Sequence, residues 1–211
     1  MAKLKIYTFP DLVLTKKAAP IVHVDKSKWK LADDMLETMY YAPGVGLAAN
    51  QVGILERILV IDTEYDVEEI PEGETAPEGA EVVDGGILKN KKPLVVINPK
   101  IIHHEGSTLF KEGCLSVPEY NAEVKRFEKV QVEFLDLDGR SRTISAEGLL
   151  AVALQHEMDH LDGKLFIDRL NPLKKEMIRK KLRQERAERE AEEAEFGEAA
   201  LVESEKRKKG L

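Results

Sequence analysis

The sequence predicts an α+β fold: antiparallel β-sheets packed around a central α-helix that carries an HExxH motif, followed by a C-terminal helical extension. Three observations predict it. Short β-branched runs outnumber helical segments and do not alternate with them, which is the α+β pattern. One segment, Ser145 to Gly163, has an apolar helical face that leads into His156 and His160. Residues 171–211 hold twelve Lys/Arg and ten Asp/Glu in a sequence dominated by Ala, Glu, Arg and Lys, the composition of a long solvated helix.

In chain order, Asp25 to Tyr41 reads as a helix, with Trp29, Ala32, Met35, Leu36, Met39 and Tyr40 at helical spacing and Pro43-Gly44 to end it. Gly44 to Gly53 is glycine-rich and uncharged. Arg57 to Ile61 reads as a strand, and Leu94–Asn98 and Lys100–Ile102 as two more. Val130, Val132 and Phe134 alternate with polar residues, which predicts a half-exposed strand. Asp138-Gly139 is a hairpin turn signal leading to a short strand through Thr143-Ile144. In the central helix Ser145 is the expected cap, Glu147 lies in the first turn, where the helix dipole favours an acid, and Gly163 is the expected terminator. Leu149, Val152, Ala153, His156 and His160 share one face of it.

The 211 residues fit one catalytic domain, 1–170, with an appendage, 171–211. A hydrophobic content of 43% is enough for a core, and a net charge of −7 argues against a dedicated DNA binder. One cysteine excludes an intrachain disulfide. The longest apolar run, Gly148 to Leu154, has seven residues, where a membrane span needs about 20. The N-terminus shows no apolar signal region, so a cytoplasmic protein is expected. The acidity is local. Between Asp62 and Gly86 stand ten acids (Asp62, Glu64, Asp66, Glu68, Glu69, Glu72, Glu74, Glu78, Glu81, Asp84) and no Lys or Arg, which reads as an exposed, mobile insertion with little apolar surface to bury. In the tail, basic residues from Lys174 to Arg186 come first and the acids Glu188, Glu190, Glu192, Glu193, Glu195 and Glu198 follow. Little is left to bury beyond Leu182, so fraying is expected there.

His156-Glu157-Met158-Asp159-His160 carries the chemistry. Imidazoles at i and i+4 lie about 5–6 Å apart at Cβ and can share a metal ion. Glu157 is rotated by about 100° and is placed to act on a water at that metal rather than to ligate it. The bland alternative, two satisfied core histidines, leaves two His and a Glu buried beside an apolar face at a cost of several kcal/mol. A hydrolytic site needs a third protein ligand. Downstream, position 166 is Phe where one peptidase pattern has His, and Glu176 and Glu185 lie in the charged tail. Upstream, Cys114, in Glu112-Gly113-Cys114-Leu115-Ser116, is the best candidate, and a thiolate suits a borderline divalent metal. Two competing readings remain open on the residues alone. One is an HExxH endopeptidase. The other is a ribosome-associated module with a structural metal site, motivated by the basic run Lys174 to Arg186.

Three segments, Gly44-Val45-Gly46-Leu47-Ala48-Ala49-Asn50-Gln51, Glu112 to Ser116 and Gln155 to Gly163, together resemble the motifs GxGLAAxQ, EGCLS and QHExDHLxG of bacterial peptide deformylases, over about residues 1–170. The resemblance implies hydrolysis of the N-formyl group from N-formylmethionyl nascent polypeptides, with release of formate. It implies one divalent metal, Fe2+ in the cell, replaceable by Zn2+, Ni2+ or Co2+. It implies Cys114, His156 and His160 as metal ligands and Glu157 as general acid and base. Gln51 and the Leu115 N–H would form the oxyanion hole, and Gly46 would admit the substrate backbone. Phe110, Leu149, Val152 and Ala153 would form the methionine pocket. Glu112 and Arg126 match an ion pair of the family behind the site. The C-terminal helix, through Lys174 to Arg186, would touch the ribosome transiently. Asn121 stands where many members have an Arg that holds the substrate main chain, which implies a weaker or altered peptide grip.

Overall fold

The computed structural model describes residues 3–71, 73–83 and 86–208, with side chains as far as 191. Glu72 and Asp84 of the acidic stretch, and the side chains of Glu192, Glu193, Glu195 and Glu198, lie outside the described residues. The chain divides into two compact units, Met1–Leu170 and Asn171–Leu211.

The first unit is α+β. Helix α1 (Lys26–Tyr41) starts where the Asp25 side chain accepts the Ser27 N–H at 2.8 Å. The segment from Gly46 forms strand β1 (Gly46–Ala48) and one 3-10 turn (Ala49–Val52), followed by β2 (Ile58–Ile61). After the acidic insertion come β6 (Leu94–Glu105), β7 (Thr108–Cys114), β8 (Val117–Arg126), β9 (Lys129–Leu135) and β10 (Ser141–Glu147). Helix α2 (Gly148–Leu161) is the predicted HExxH helix. β1-β2-β6-β9-β10 make one antiparallel sheet, and β7-β8 a separate hairpin.

β2 shows why α2 is central. All four of its residues are buried. Leu59 and Ile61 pack with Ala151 and Leu154 of α2, whereas Ile58 and Val60 pack with Met35 and Met39 of α1. The two-residue period of the strand thus presents one face to each helix, so a strand buried on both sides reads as a continuous apolar run. Each such side chain contributes about 1.5–3 kcal/mol on burial.

Several expectations need correction. Trp29, placed on the buried face of α1 by periodicity, is nearly half exposed. Leu94 to Ile102 is one strand, bent by register shifts around Asn98, whose φ is 53°. Ser145 does not cap α2: it stays in the β9–β10 ladder opposite Gln131, and the helix starts three residues later without a side-chain cap. The sequence also gave no sign of the long β7–β8 hairpin.

The acidic insertion is not bare loop. Asp66–Glu68 (β3), Val82–Val83 (β4) and Gly86–Lys89 (β5) form a small sheet in the order β3-β5-β4, with Val67, Val83 and Leu88 packed into the α1 core cluster. Asp62 is buried and accepts from Tyr40 Oη and Lys92 N, each at 2.7 Å. Three apolar side chains and one buried, fully used carboxylate are enough to fold a segment whose average composition is that of a solvated loop.

The N-terminal segment runs across the motif-bearing elements as a strap. Tyr7 N donates to Gln51 O at 2.7 Å, Phe9 N to Ser116 O at 2.9 Å and Ala18 N to Leu161 O at 2.8 Å.

The second unit is helix α3 (Pro172–Lys208), started by Asn171, whose Oδ1 accepts the Lys174 N–H at 2.9 Å. It continues past Leu182, where fraying is predicted. Residues of high helix propensity and i,i+4 pairs such as Arg186 with Glu190 (2.7 Å) and Gln184 with Glu188 (2.9 Å) sustain it without tertiary burial. No helix among the described residues is long and apolar enough to cross a membrane.

Candidate metal centre

The β7–β8 hairpin changes register where it matters. Gly113 pairs with Asn121, but Cys114 pairs with Val117, so the chain turns tightly through Leu115 and Ser116. This brings the Cys114 sulfur over α2, 3.1 Å from His160 Nε2. His160 Nε2 is in turn 3.2 Å from His156 Nε2. The three ligand atoms lie within 4.8 Å of one another, and no other such group occurs among the described residues. The sulfur accepts the Ser116 N–H at 3.4 Å and faces Gln51 Nε2 at 3.7 Å. Gln51 is fixed at its other end, where Oε1 accepts the Ala48 N–H at 2.8 Å.

Behind the histidines lies a buried ionic network. Glu112 Oε2 holds His156 Nδ1 at 2.8 Å, which leaves Nε2 as the free electron-pair donor. Arg126 grips Glu112 with Nε at 2.5 Å and Nη2 at 2.8 Å, and reaches Asp159 with Nη1 at 2.6 Å. Burial raises the Glu112 carboxyl, but hydrogen bonds from Arg126 and His156 outweigh it and hold it at about 2, ionised at any physiological pH. Gln155, which opens the third motif and has no expected role, ties the β8–β9 turn to α2: it accepts the Phe127 N–H and donates to Phe127 O, both at 2.9 Å.

Does this donor set fit a metal? Two imidazole nitrogens and a sulfur face one another at separations near those around a tetrahedral ion, roughly 3.3–3.8 Å for bonds of 2.0–2.3 Å. Burial, then the charges of His156 and Arg126, push His160 well below its ordinary value and keep it neutral, the form a ligand needs. Burial also disfavours a charged His156, yet its contacts with Cys114 and Glu112 overcome this and raise it well above its ordinary value, so the surroundings favour a cation at this point. Glu157 Oε2 and His160 Nδ1 are buried with no hydrogen-bond partner among the described residues. The residues therefore fit a single metal ion.

Glu157 is pushed up to about 7, chiefly by burial and then by Glu112. Its carboxylate lies against β1: a Cβ on Gly46 would stand 2.6 Å from Oε1. Glu157, Gln51, Cys114, Leu115 and Gly46 line a cavity of about 540 Å³, with Tyr120 and Asn121 of β8 on another wall. Neither histidine lines it, but His160 Nε2 lies 3.1 Å from the sulfur of Cys114, which does. Phe110, Leu149, Val152 and Ala153 do not line this cavity. Val152 and Ala153 are buried, Phe110 is half-buried on β7, and Leu149 is exposed. Gly163, at φ 71°, closes α2 one residue after its C-cap, as expected.

A family model, polypeptide deformylase, matches residues 3–176. The chain belongs to the polypeptide deformylase family. A peptide deformylase of Alkalilimnicola ehrlichii is 47% identical over 182 residues, 86% of this chain and 90% of that one. The crystal structure of a peptide deformylase from Legionella pneumophila superposes with a TM-score of 0.72 at 41% identity, covering 89% of this chain and 98% of that one. That of the Ehrlichia chaffeensis enzyme in complex with actinonin gives 0.71 at 40% identity, covering 88% and 98%. The polypeptide deformylases remove the formyl group from peptides in protein biosynthesis and depend on a metal, and this chain is such a hydrolase.

Proposed function

We propose that Cys114, His156 and His160 hold one divalent metal, Fe2+ in the cell with Zn2+, Ni2+ or Co2+ able to replace it, and that the substrates are N-formylmethionyl nascent peptides in the cytoplasm. The observation that carries this reading is the meeting of the Cys114 sulfur with both Nε2 atoms, Cys114 and Glu157 both lining one cavity. Iron comes from the family resemblance, since affinity order alone favours zinc over iron. When bound, the metal acidifies a water and polarises the formyl carbonyl. Glu157 accepts the water's proton as hydroxide adds and returns it to the departing amine. Gln51 Nε2 and the Leu115 N–H donate to the oxyanion that forms. Phe110, Leu149, Val152 and Ala153 are assigned to the methionine side chain by the family resemblance alone, since none of them lines the cavity beside Glu157. Asn121, on the cavity wall, offers an amide where many family members offer a guanidinium, so the peptide main chain is held with fewer charged contacts. Release of formate from formyl-Met-Ala-Ser by iron-loaded protein, with casein left intact, is the expected result; cleavage of casein without formate would overturn it.

Gly46 has a neighbour closer than any substrate. A methyl group there would stand 2.6 Å from Glu157 Oε1, so the carboxylate must leave its present position. Gly46→Ala should lower kcat by about a hundredfold, the cost of misplacing a reacting group by roughly 1 Å. Steady-state kinetics alongside a thermal melt check this, with a near-normal kcat showing that the carboxylate tolerates the shift.

We also infer transient contact with the ribosome through Lys174 to Arg186, because this stretch of α3 gathers seven basic residues and rRNA is a polyanion. Salt-sensitive co-sedimentation with ribosomes should disappear when residues 171–211 are removed, while formate release persists. Unchanged sedimentation after that truncation removes the helix from the contact.

A further inference from the structure

We infer that Arg169 is a positioning residue of the metal site, acting through Asp159 and Arg126 on the Glu112 carboxylate that orients His156. The inference rests on the reading that Cys114, His156 and His160 hold a metal.

Asp159 is the D of the QHExDHLxG motif, next to His160, and the reaction gives it no task. Its side chain is nonetheless buried, and a buried carboxylate persists only where its charge is matched. Two guanidiniums match it. Arg126 Nη1 stands 2.6 Å from Oδ2. Arg169, beyond the end of α2, takes both oxygens, with Nε 2.5 Å from Oδ2 and Nη2 2.6 Å from Oδ1. A two-point grip fixes the plane of a carboxylate as well as its position. Arg126 spends its other two nitrogens on Glu112, and Glu112 holds His156 Nδ1. Arg169, Asp159, Arg126, Glu112 and His156 therefore form one chain in which cation and carboxylate alternate. The two carboxylates and two guanidiniums sum to zero charge.

Arg169 is the member of this chain that reaches solvent, its side chain 41% exposed, while Arg126, Glu112 and Asp159 are buried. Without Arg169, Asp159 keeps only Arg126 as a cation. Arg126 is then drawn between two carboxylates and loosens its fork on Glu112, and the imidazole loses part of its orientation. Partners behind metal ligands typically govern affinity or activity by about 10–100-fold, and Arg169 stands further back than Glu112, so the lower end of that range is expected.

The test uses the full chain, with Arg169→Met, which keeps bulk and removes charge, and Arg169→Lys, which keeps charge but has no fork. Co2+ affinity is measured by competition with a chelator, the Co2+ absorption spectrum is recorded, and kcat and KM are determined with formyl-Met-Ala-Ser. Arg169→Met should weaken Co2+ binding about tenfold, shift the visible bands and lower kcat at unchanged KM. Arg169→Lys should fall between this and the wild type. Wild-type affinity and spectrum in Arg169→Met, with only a lowered melting temperature, would make the residue structural and overturn the inference. Should Arg169→Met fail to fold, Arg169→Lys decides alone, and wild-type affinity and spectrum there overturn it equally. A wild-type protein that takes up no Co2+ overturns the metal reading itself, and the inference with it.

Discussion

Glu157→Ala should bind metal as the wild type does and release formate at least about a thousandfold more slowly, within the 10²–10⁴-fold span of general acid–base catalysis. That span corresponds to about 3–5 kcal/mol of barrier. Glu157 is adjacent to a ligand but points away from it, against Gly46, and its carboxylate lines the cavity. Removing it deletes the group that moves the proton and leaves Cys114, His156 and His160 untouched. It also removes a buried carboxyl with an unpaired oxygen, so the melting temperature should hold or rise. Metal analysis of the purified variant beside a formate assay separates the two effects. Turnover close to the wild type would remove Glu157 from the proton transfer, and loss of metal would show that it supports the ligands as well.

Cys114→Ser should strike the metal itself. The substitution keeps the hairpin turn and nearly the same volume, but exchanges a soft thiolate for a hydroxyl that is not ionised at neutral pH. The Ser116 N–H and Gln51 Nε2 now aimed at the sulfur would face a smaller, harder atom. Metal affinity should fall by at least about a hundredfold, since only the two histidines remain as good donors. The sulfur-to-metal absorption of a Co2+-loaded sample should vanish. Metal content and activity both equal to the wild type would falsify the place of Cys114 in the ligand set.

The site was more legible in the sequence than the fold around it. The HExxH spacing is a local property of a helix, so His156, Glu157 and His160 could be read without knowing what packs on them. Cys114 required elimination, because no local rule links it to α2 from 42 residues away. Arg126 could be paired with Glu112 through the family, but Asp159 and Arg169 could not, since an Asp within a motif and an Arg after a helix each read as ordinary surface charge. Fold errors arose where tertiary partners overruled composition. Ser145 has every local reason to cap a helix, and a ladder partner kept it in β10. The acidic insertion averages to a solvated loop, yet Val67, Val83, Leu88 and a buried Asp62 fold it onto the body. Fraying of the last helix was expected from its lack of apolar residues, and pairing along the helix opposes it.

The strap formed by the first residues has a practical consequence. Its backbone amides bind the carbonyls of Gln51, Ser116 and Leu161, one in or beside each of the three motifs. The segment from Tyr7 to Ala18 is thus a fastener for three regions far apart in sequence. Removing it is an injury to the reacting centre even though every residue of that centre is still encoded.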